Sequence, residues 1–332
     1  QRITAAWLDD GRAVAPHAAA HAAPYAATLL FLAGSPVALT SLQLMTRHYL
    51  EGLACFLLGL WLVLLRLRGG RAWLLWPALG KRRRYAATNI ALCFPELDPT
   101  AQARLLRANL RATVTGLLEL VRGWFASPHR LQGLAEVEGL EHLRAARARG
   151  QGVLLFGGHF PHSELCARLL GEALGERLAI VARHNNDPCI ERWLDGARRR
   201  AFADVIGKKD VRGLLRTLSR GGIVAYSADQ DFNYQNAFVP FFGVPAATLT
   251  ATPDLARRGN AVVLPFWFHR DADGRYQLRV EPTWSGWPSG DPAQDAARYM
   301  AELETVVRQH PEQYLWVHRR FKTRPPGQPP LY

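Results

Sequence analysis

Beyond about residue 85, apolar positions follow two alternating rhythms. Leu105, Leu106, Leu110, Val114, Leu117, Leu118 and Val121 recur at three- and four-residue steps, which predicts a helix within 96–126. Further along, β-rich runs at 153–156, 178–182, 223–226, 261–268 and 276–280 alternate with helical stretches at 163–174, 188–202, 211–219, 250–258 and 293–309. This alternation predicts an α/β domain, a sheet with helices on its faces, over residues 85–332. No repeat of 20–50 residues interrupts it.

The N-terminal quarter has a different pattern. The first 27 residues hold eleven alanines with scattered His and Pro and no hydrophobic period, so 1–44 reads as an unstructured extension or one added by cloning. Residues 52–65 then run without a charge for 14 positions between Glu51 and Arg66. That is shorter than the roughly 20 residues of a full bilayer span, so the segment fits a single anchor or an interfacial helix, with a buried core helix as the competing reading. Behind it stand Arg66, Arg68, Arg71, Lys81, Arg82, Arg83 and Arg84 with no acid among them. Residues 45–84 are therefore expected to be a membrane anchor with a basic flank, which by the positive-inside rule puts the body on the cytoplasmic side.

Composition narrows the partners. The 332 residues carry 41 Lys+Arg against 28 Asp+Glu, a net charge of +13, which favours an anionic partner: nucleic acid, acidic lipid or an acidic protein. Only four of the cations are lysines, and arginine suits bidentate contact with phosphate or carboxylate. With 48% hydrophobic and 21% charged residues, wholesale disorder and a many-span membrane protein are both disfavoured. Cys55, Cys93, Cys166 and Cys189 are far apart with no C-x-x-C, which suggests neither a disulfide framework nor a Cys-rich zinc site.

The stretch Val153-Leu-Leu-Phe-Gly-Gly-His-Phe-Pro-His-Ser-Glu164 is an apolar strand running through two glycines into a histidine and then a helix. Ligands of open α/β sheets gather outside the carboxyl ends of strands, so His159 stands where a reactive group belongs. On one continuous helix His159 and Glu164 would lie about 140° apart. With His159 in the preceding turn, Glu164 folds back to accept the imidazole N–H, leaving the other ring nitrogen free to take a proton from a hydroxyl. The competing reading is a histidine that merely caps the turn. His159 and His162 also form an H-x-x-H, but no H-E-x-x-H helix and no compact ligand cluster completes a metal set. G-x-S-x-G is absent around Ser163, which argues against a serine hydrolase. Three polar clusters follow predicted strands or the helix between them: Arg183-His-Asn-Asn186, Arg198-Arg-Arg200 and Asp229-Gln230-Asp231.

These motifs, with Phe238-Val-Pro-Phe-Phe-Gly-Val244, Lys81-Arg-Arg, Asn89-Ile-Ala-Leu-Cys-Phe-Pro95 and Gln313-Tyr-Leu-Trp-Val-His-Arg-Arg-Phe-Lys-Thr-Arg-Pro325, resemble the late acyltransferases of lipid A biosynthesis. The likeness covers roughly residues 45–332. It implies a mixed, mainly parallel sheet flanked by helices, of the glycerolipid acyltransferase type, behind an N-terminal anchor in the inner membrane. It further implies acyl transfer from acyl carrier protein to a 3-hydroxyacyl hydroxyl of a lipid A precursor, with neither metal nor cofactor. By position His159 is then the general base and Glu164 its orienting partner. Arg183, Arg198, Asp229 and Gln230 serve substrate or transition state. Where the family usually has Pro before the Asp-Gln pair, this chain has Ala228. Arg198 or backbone N–H groups near Gly157 and Gly158 are candidate donors to the oxyanion, each typically worth about 3–4 kcal/mol. Two rivals stand beside this reading: an acyltransferase for another membrane glycolipid or a glycerophospholipid, and a non-catalytic basic module that binds membrane or nucleic acid.

Overall fold

The structure, a computed structural model, describes residues 80–332. The extension 1–44, the candidate anchor at 52–65 and the basic positions 66–79 lie outside the described residues. Among the described residues no helix is long and apolar enough to cross a membrane.

Two helices lead the chain, α1 (Gly80–Cys93) and α2 (Pro99–Phe125), followed by the single turn α3 (Pro128–Leu131). Asp98 starts α2 by accepting the Ala101 N–H, and Pro99 fits the first helical position, where no N–H is needed. The sheet region then runs β1 (Ala135–Glu138), α4 (Leu140–Ala148), β2 (Gly152–Gly157), α5 (Ser163–Leu174), β3 (Ala179–Ala182), α6 (Pro188–Ala201), β4 (Asp204–Gly207), α7 (Val211–Ser219) and β5 (Ile223–Ser227). It continues through β6 (Asn236–Phe241), β7 (Val244–Leu249), α8 (Thr252–Arg258), β8 (Ala261–Arg270), β9 (Tyr276–Val280) and α9 (Pro292–Gln309).

Seven strands form one sheet in the order β1-β9-β8-β2-β5-β3-β4. The five from β8 to β4 are mutually parallel, β9 runs antiparallel to β8, and β1 runs parallel to β9. The expected mixed, mainly parallel sheet is what forms. β2 is buried at all six positions, which explains its unbroken apolar run Val153–Phe156: a strand covered on both faces shows no polar alternation. On one face Phe156 stacks on Tyr299 of α9 at 3.9 Å, and the Tyr299 hydroxyl donates to the Gly157 carbonyl at 2.7 Å.

All five predicted strands lie within or nearly match observed ones. Four others carry weak sequence signals. β1 and β4 are only four residues long, and β6–β7 is a separate antiparallel hairpin with a proline in each strand. Its two-residue turn places both Phe242 (φ 51°) and Gly243 (φ 73°) in the left-handed region, the primed geometry that suits a twisted hairpin. Phe242 is held there by packing against Phe94, Phe241 and Trp316.

After α9 the chain crosses the carboxyl edge of the sheet without a long helix, yet Tyr314, Trp316, Arg320 and Phe321 are all buried. Two fully buried asparagines hold this segment. Asn109 of α2 donates to the carbonyls of Glu312 (2.9 Å) and Tyr314 (2.7 Å). Asn89 of α1 donates to those of Trp316 and His318, both at 2.7 Å.

Candidate active site

β2 and β5 are adjacent parallel strands, and their register sets Gly157 beside Ser227. Two residues beyond each strand end stand His159 and Asp229, so the ladder itself delivers the pair to one place. Asp229 Oδ1 lies 2.5 Å from His159 Nδ1, and its Oδ2 accepts both the His159 backbone N–H at 3.0 Å and the Tyr314 hydroxyl at 2.8 Å. The Leu315 N–H in turn donates to the His159 carbonyl at 3.1 Å. His159 is thus fixed at its backbone and at one ring nitrogen. Nε2 makes no hydrogen bond with the described residues, and the side chain is 35% exposed.

Asp229 is buried, with 1% of its surface exposed. Burial alone would raise its pKa. The charge of His159 and the hydrogen bonds from His159 and Tyr314 overcome this and hold the carboxyl well below its ordinary value of 3.8. Burial, together with the Asp229 charge, pushes the Tyr314 phenol well above 10.0, so it remains a donor. An anionic carboxylate on Nδ1 fixes the tautomer and leaves Nε2 as the proton acceptor.

Here the structure corrects the sequence reading. Glu164 does not orient His159; that position belongs to Asp229. The Glu164 carboxylate accepts from Arg198 through Nε (3.1 and 3.2 Å) and Nη2 (2.8 Å), and from Trp124 Nε1 at 2.6 Å. The local cause is close packing of α2 on the start of α5. A Cβ on Gly116 would lie 2.2 Å from Pro161 Cβ, and one on Gly123 would lie 3.2 Å from Leu165 Cα. The overlap at Gly116 admits only glycine and the fit at Gly123 is tight, and this approach brings Trp124 onto the first turn of α5. Arg198, from the last turn of α6, completes the group and also lies over the Trp124 ring at 5.6 Å.

The other candidate residues divide. Gln230 follows Asp229, and its carbonyl accepts from buried Arg320 at 3.2 Å. Arg320 also donates to the Ala247 carbonyl at 2.7 Å and to the Thr248 hydroxyl. Asp231 accepts from the Thr323 N–H and hydroxyl, both at 2.9 Å. The loop that has Ala228 in place of proline is therefore stiffened by the C-terminal segment. Arg183 is exposed past the end of β3, apart from these contacts. His162 does not join His159: it is 2% exposed among the rings of Phe160, Phe268 and Tyr276. Gly157 and Gly158 have a packing reason, since a Cβ on the first would lie 2.8 Å from the Phe266 carbonyl oxygen and one on the second 2.5 Å from Leu303 Cδ1. The sequence reading assigned no role to Trp124 or Tyr314. Tyr314 lies in the C-terminal motif, but nothing in its spacing from His159 signals the contact.

Residues 53–323 match the profile of the bacterial lipid A biosynthesis acyltransferases. The chain is 36% identical over 274 residues to the lipid A biosynthesis lauroyltransferase of Escherichia coli K12, covering 81% of this chain and 89% of the relative. It is 34% identical over 260 residues to the palmitoleoyltransferase of the same strain, covering 77% and 84%, and 26% identical over 254 residues to its myristoyltransferase, covering 75% and 78%. On the length of that match and the identity to relatives along most of their chains, this protein belongs to the bacterial lipid A biosynthesis acyltransferase family.

Proposed function

We propose that the chain transfers a fatty acyl group from acyl carrier protein to the hydroxyl of a 3-hydroxyacyl chain on a lipid A precursor, at the cytoplasmic face of the inner membrane. Family membership supports acyl transfer in lipid A biosynthesis, and the relatives are named for lauroyl, palmitoleoyl and myristoyl transfer. The observation that carries the mechanism is the 2.5 Å contact between His159 Nδ1 and Asp229 at the carboxyl rim, with Nε2 left unbonded by the described residues.

In this reading Nε2 takes the proton of the acceptor hydroxyl as its oxygen attacks the thioester carbonyl carbon. The tetrahedral intermediate collapses to the new ester, the C–S bond breaks, and the imidazolium returns the proton to the departing thiolate. Asp229 stabilises the imidazolium in between, and Tyr314 keeps the carboxylate aimed. Glu164 acts one step further out, holding Arg198 and Trp124 at the first turn of α5. The chemistry needs no resident metal or cofactor. The apolar segment at 52–65 with its basic flank would seat the enzyme on the bilayer that holds the acceptor.

Acyl transfer onto purified precursor, followed by mass spectrometry, tests the assignment. His159→Ala is expected to lower kcat by about 10²–10⁴, the usual contribution of a general base, with the fold retained by circular dichroism. Asp229→Asn is expected to lose at least about 10² by the same assay, because it removes the charge facing the imidazolium. Near-normal turnover in either folded variant would reject the pair.

A further inference from the structure

The carboxyl edge of the sheet continues past His159 and Asp229 to two more strands. β3 and β4 are parallel, with Ala182 beside Gly207, and the Lys208 N–H donates to the Ala182 carbonyl at 2.9 Å, extending the pairing by one residue. Just beyond, Arg183 on one strand and Lys208 and Lys209 on the other are all exposed. In the strand order β2-β5-β3-β4, a spacing of about 4.8 Å puts β3 about 10 Å and β4 about 14 Å from the strand that carries His159. Two of the four lysines in the chain stand here.

The loop is firmly built. A Cβ on Gly207 would fall 2.5 Å from His184 Nε2, so the imidazole packs against the end of β4. Glu191 holds that ring through Nδ1 at 2.7 Å and also accepts the Asn185 N–H. The nearby acids are therefore already engaged. Glu191 binds His184 and Asn185, Asp187 caps α6 through the N–H groups of Cys189 and Ile190, and Asp210 caps α7 through that of Gly213. Arg183, Lys208 and Lys209 have no ion-pair partner among the described residues, while the first N–H groups of α6 and α7 are taken up by their own capping carboxylates, Asp187 and Asp210.

We propose that Arg183, Lys208 and Lys209 form a phosphate-binding rim that holds a phosphate group of one substrate while its reacting end reaches His159. Arginine supplies a planar fork for phosphate oxygens and the lysines supply point charges, the usual division of labour at such sites. This inference rests on the acyl-transfer reading and adds where a substrate is gripped. The phosphate can belong to the acceptor glycolipid or to the phosphopantetheine arm of the donor.

The full chain in mixed micelles is assayed as wild type and as the triple variant Arg183→Ser/Lys208→Ser/Lys209→Ser. Acceptors with and without their phosphates form one arm; acyl carrier protein thioester against acyl-pantetheine, which lacks phosphate, forms the other. The triple variant is expected to raise KM for one phosphorylated substrate by about tenfold or more with kcat within about twofold, the mark of lost uniform binding. The same substrate stripped of phosphate should show no further loss, and the arm in which this happens names the source. Replacement of the lysines by arginine should restore KM. An unchanged KM on both arms, or an equal rise with and without phosphate, overturns the proposal. If the wild type transfers no acyl group at all, the functional reading fails on its own, and calorimetric titration with pyrophosphate then decides the rim. Binding by wild type and not by the triple variant upholds it, and equal binding or none sinks it.

Discussion

His159 and His162 stand three residues apart and meet opposite surroundings. His159 leaves the end of β2 half-exposed, with an anionic partner. His162 turns inward among aromatic rings, where burial first, and then the positive charge of Arg270, His269 and His310, lowers its pKa from 6.5 to about 3. A base that folding keeps neutral costs stability in acid. The unfolded chain takes up the proton below 6.5, whereas the folded chain does not until about 3. Stability is therefore complete above about pH 7 and falls by up to about 1.4 kcal/mol per pH unit toward pH 3. Asp229, whose pKa is depressed, acts in a lower window: its contribution is present above 3.8 and lost as pH falls further. His162→Gln is expected to flatten the pH dependence between about pH 4.5 and 6 by close to ~1 kcal/mol per unit, read from urea unfolding. An unaltered slope would show that His162 titrates normally in the folded chain.

Among elements, the pairing of β2 with β5 and the packing of α2 do most to assemble the site. The first brings together residues 70 positions apart in sequence; the second brings Trp124 to Glu164 and Asn109 to the C-terminal segment. Asn109→Ala would take the side-chain donor from the half-buried Glu312 carbonyl and leave the Tyr314 carbonyl with only the Trp316 N–H. It is expected to destabilise the chain by about 1–2 kcal/mol, lowering the thermal midpoint by roughly 2–8 °C. Calorimetry on wild type and variant checks this, and a shift within about 1 °C would mean that the clamp is dispensable. β2 was legible as an element because its apolar run is unbroken, and α5 because its apolar face recurs at helical steps. β4 was not, since four residues that begin with Asp and end with Gly carry too little pattern to separate a strand from a loop.

Over the whole molecule, the segment after α9 supplies part of the core between Gln313 and Phe321. Tyr314, Trp316 and Phe321 are at most 4% exposed, and Arg320 ties the loop after β5 to strand β7. Burying one such aromatic contributes about 1.5–3 kcal/mol, so three approach the 5–15 kcal/mol that holds a typical domain together. Deletion of residues 311–332 is expected to abolish cooperative unfolding and the near-ultraviolet circular dichroism of the aromatic core. A truncated chain that melts as sharply as the parent would contradict this. By itself the sequence determined the alternation of strands and helices from residue 153 onward, the placement of His159 past a buried strand, and, through its series of motifs, the resemblance to a family. Only the tertiary structure decided which carboxylate meets the imidazole. Hydrogen bonds act over about 3 Å, and neighbours at that range are set by which strands lie side by side and by how closely helices pack. Glu164, five residues away, therefore faces Arg198, while Asp229, 70 residues away, stands against His159.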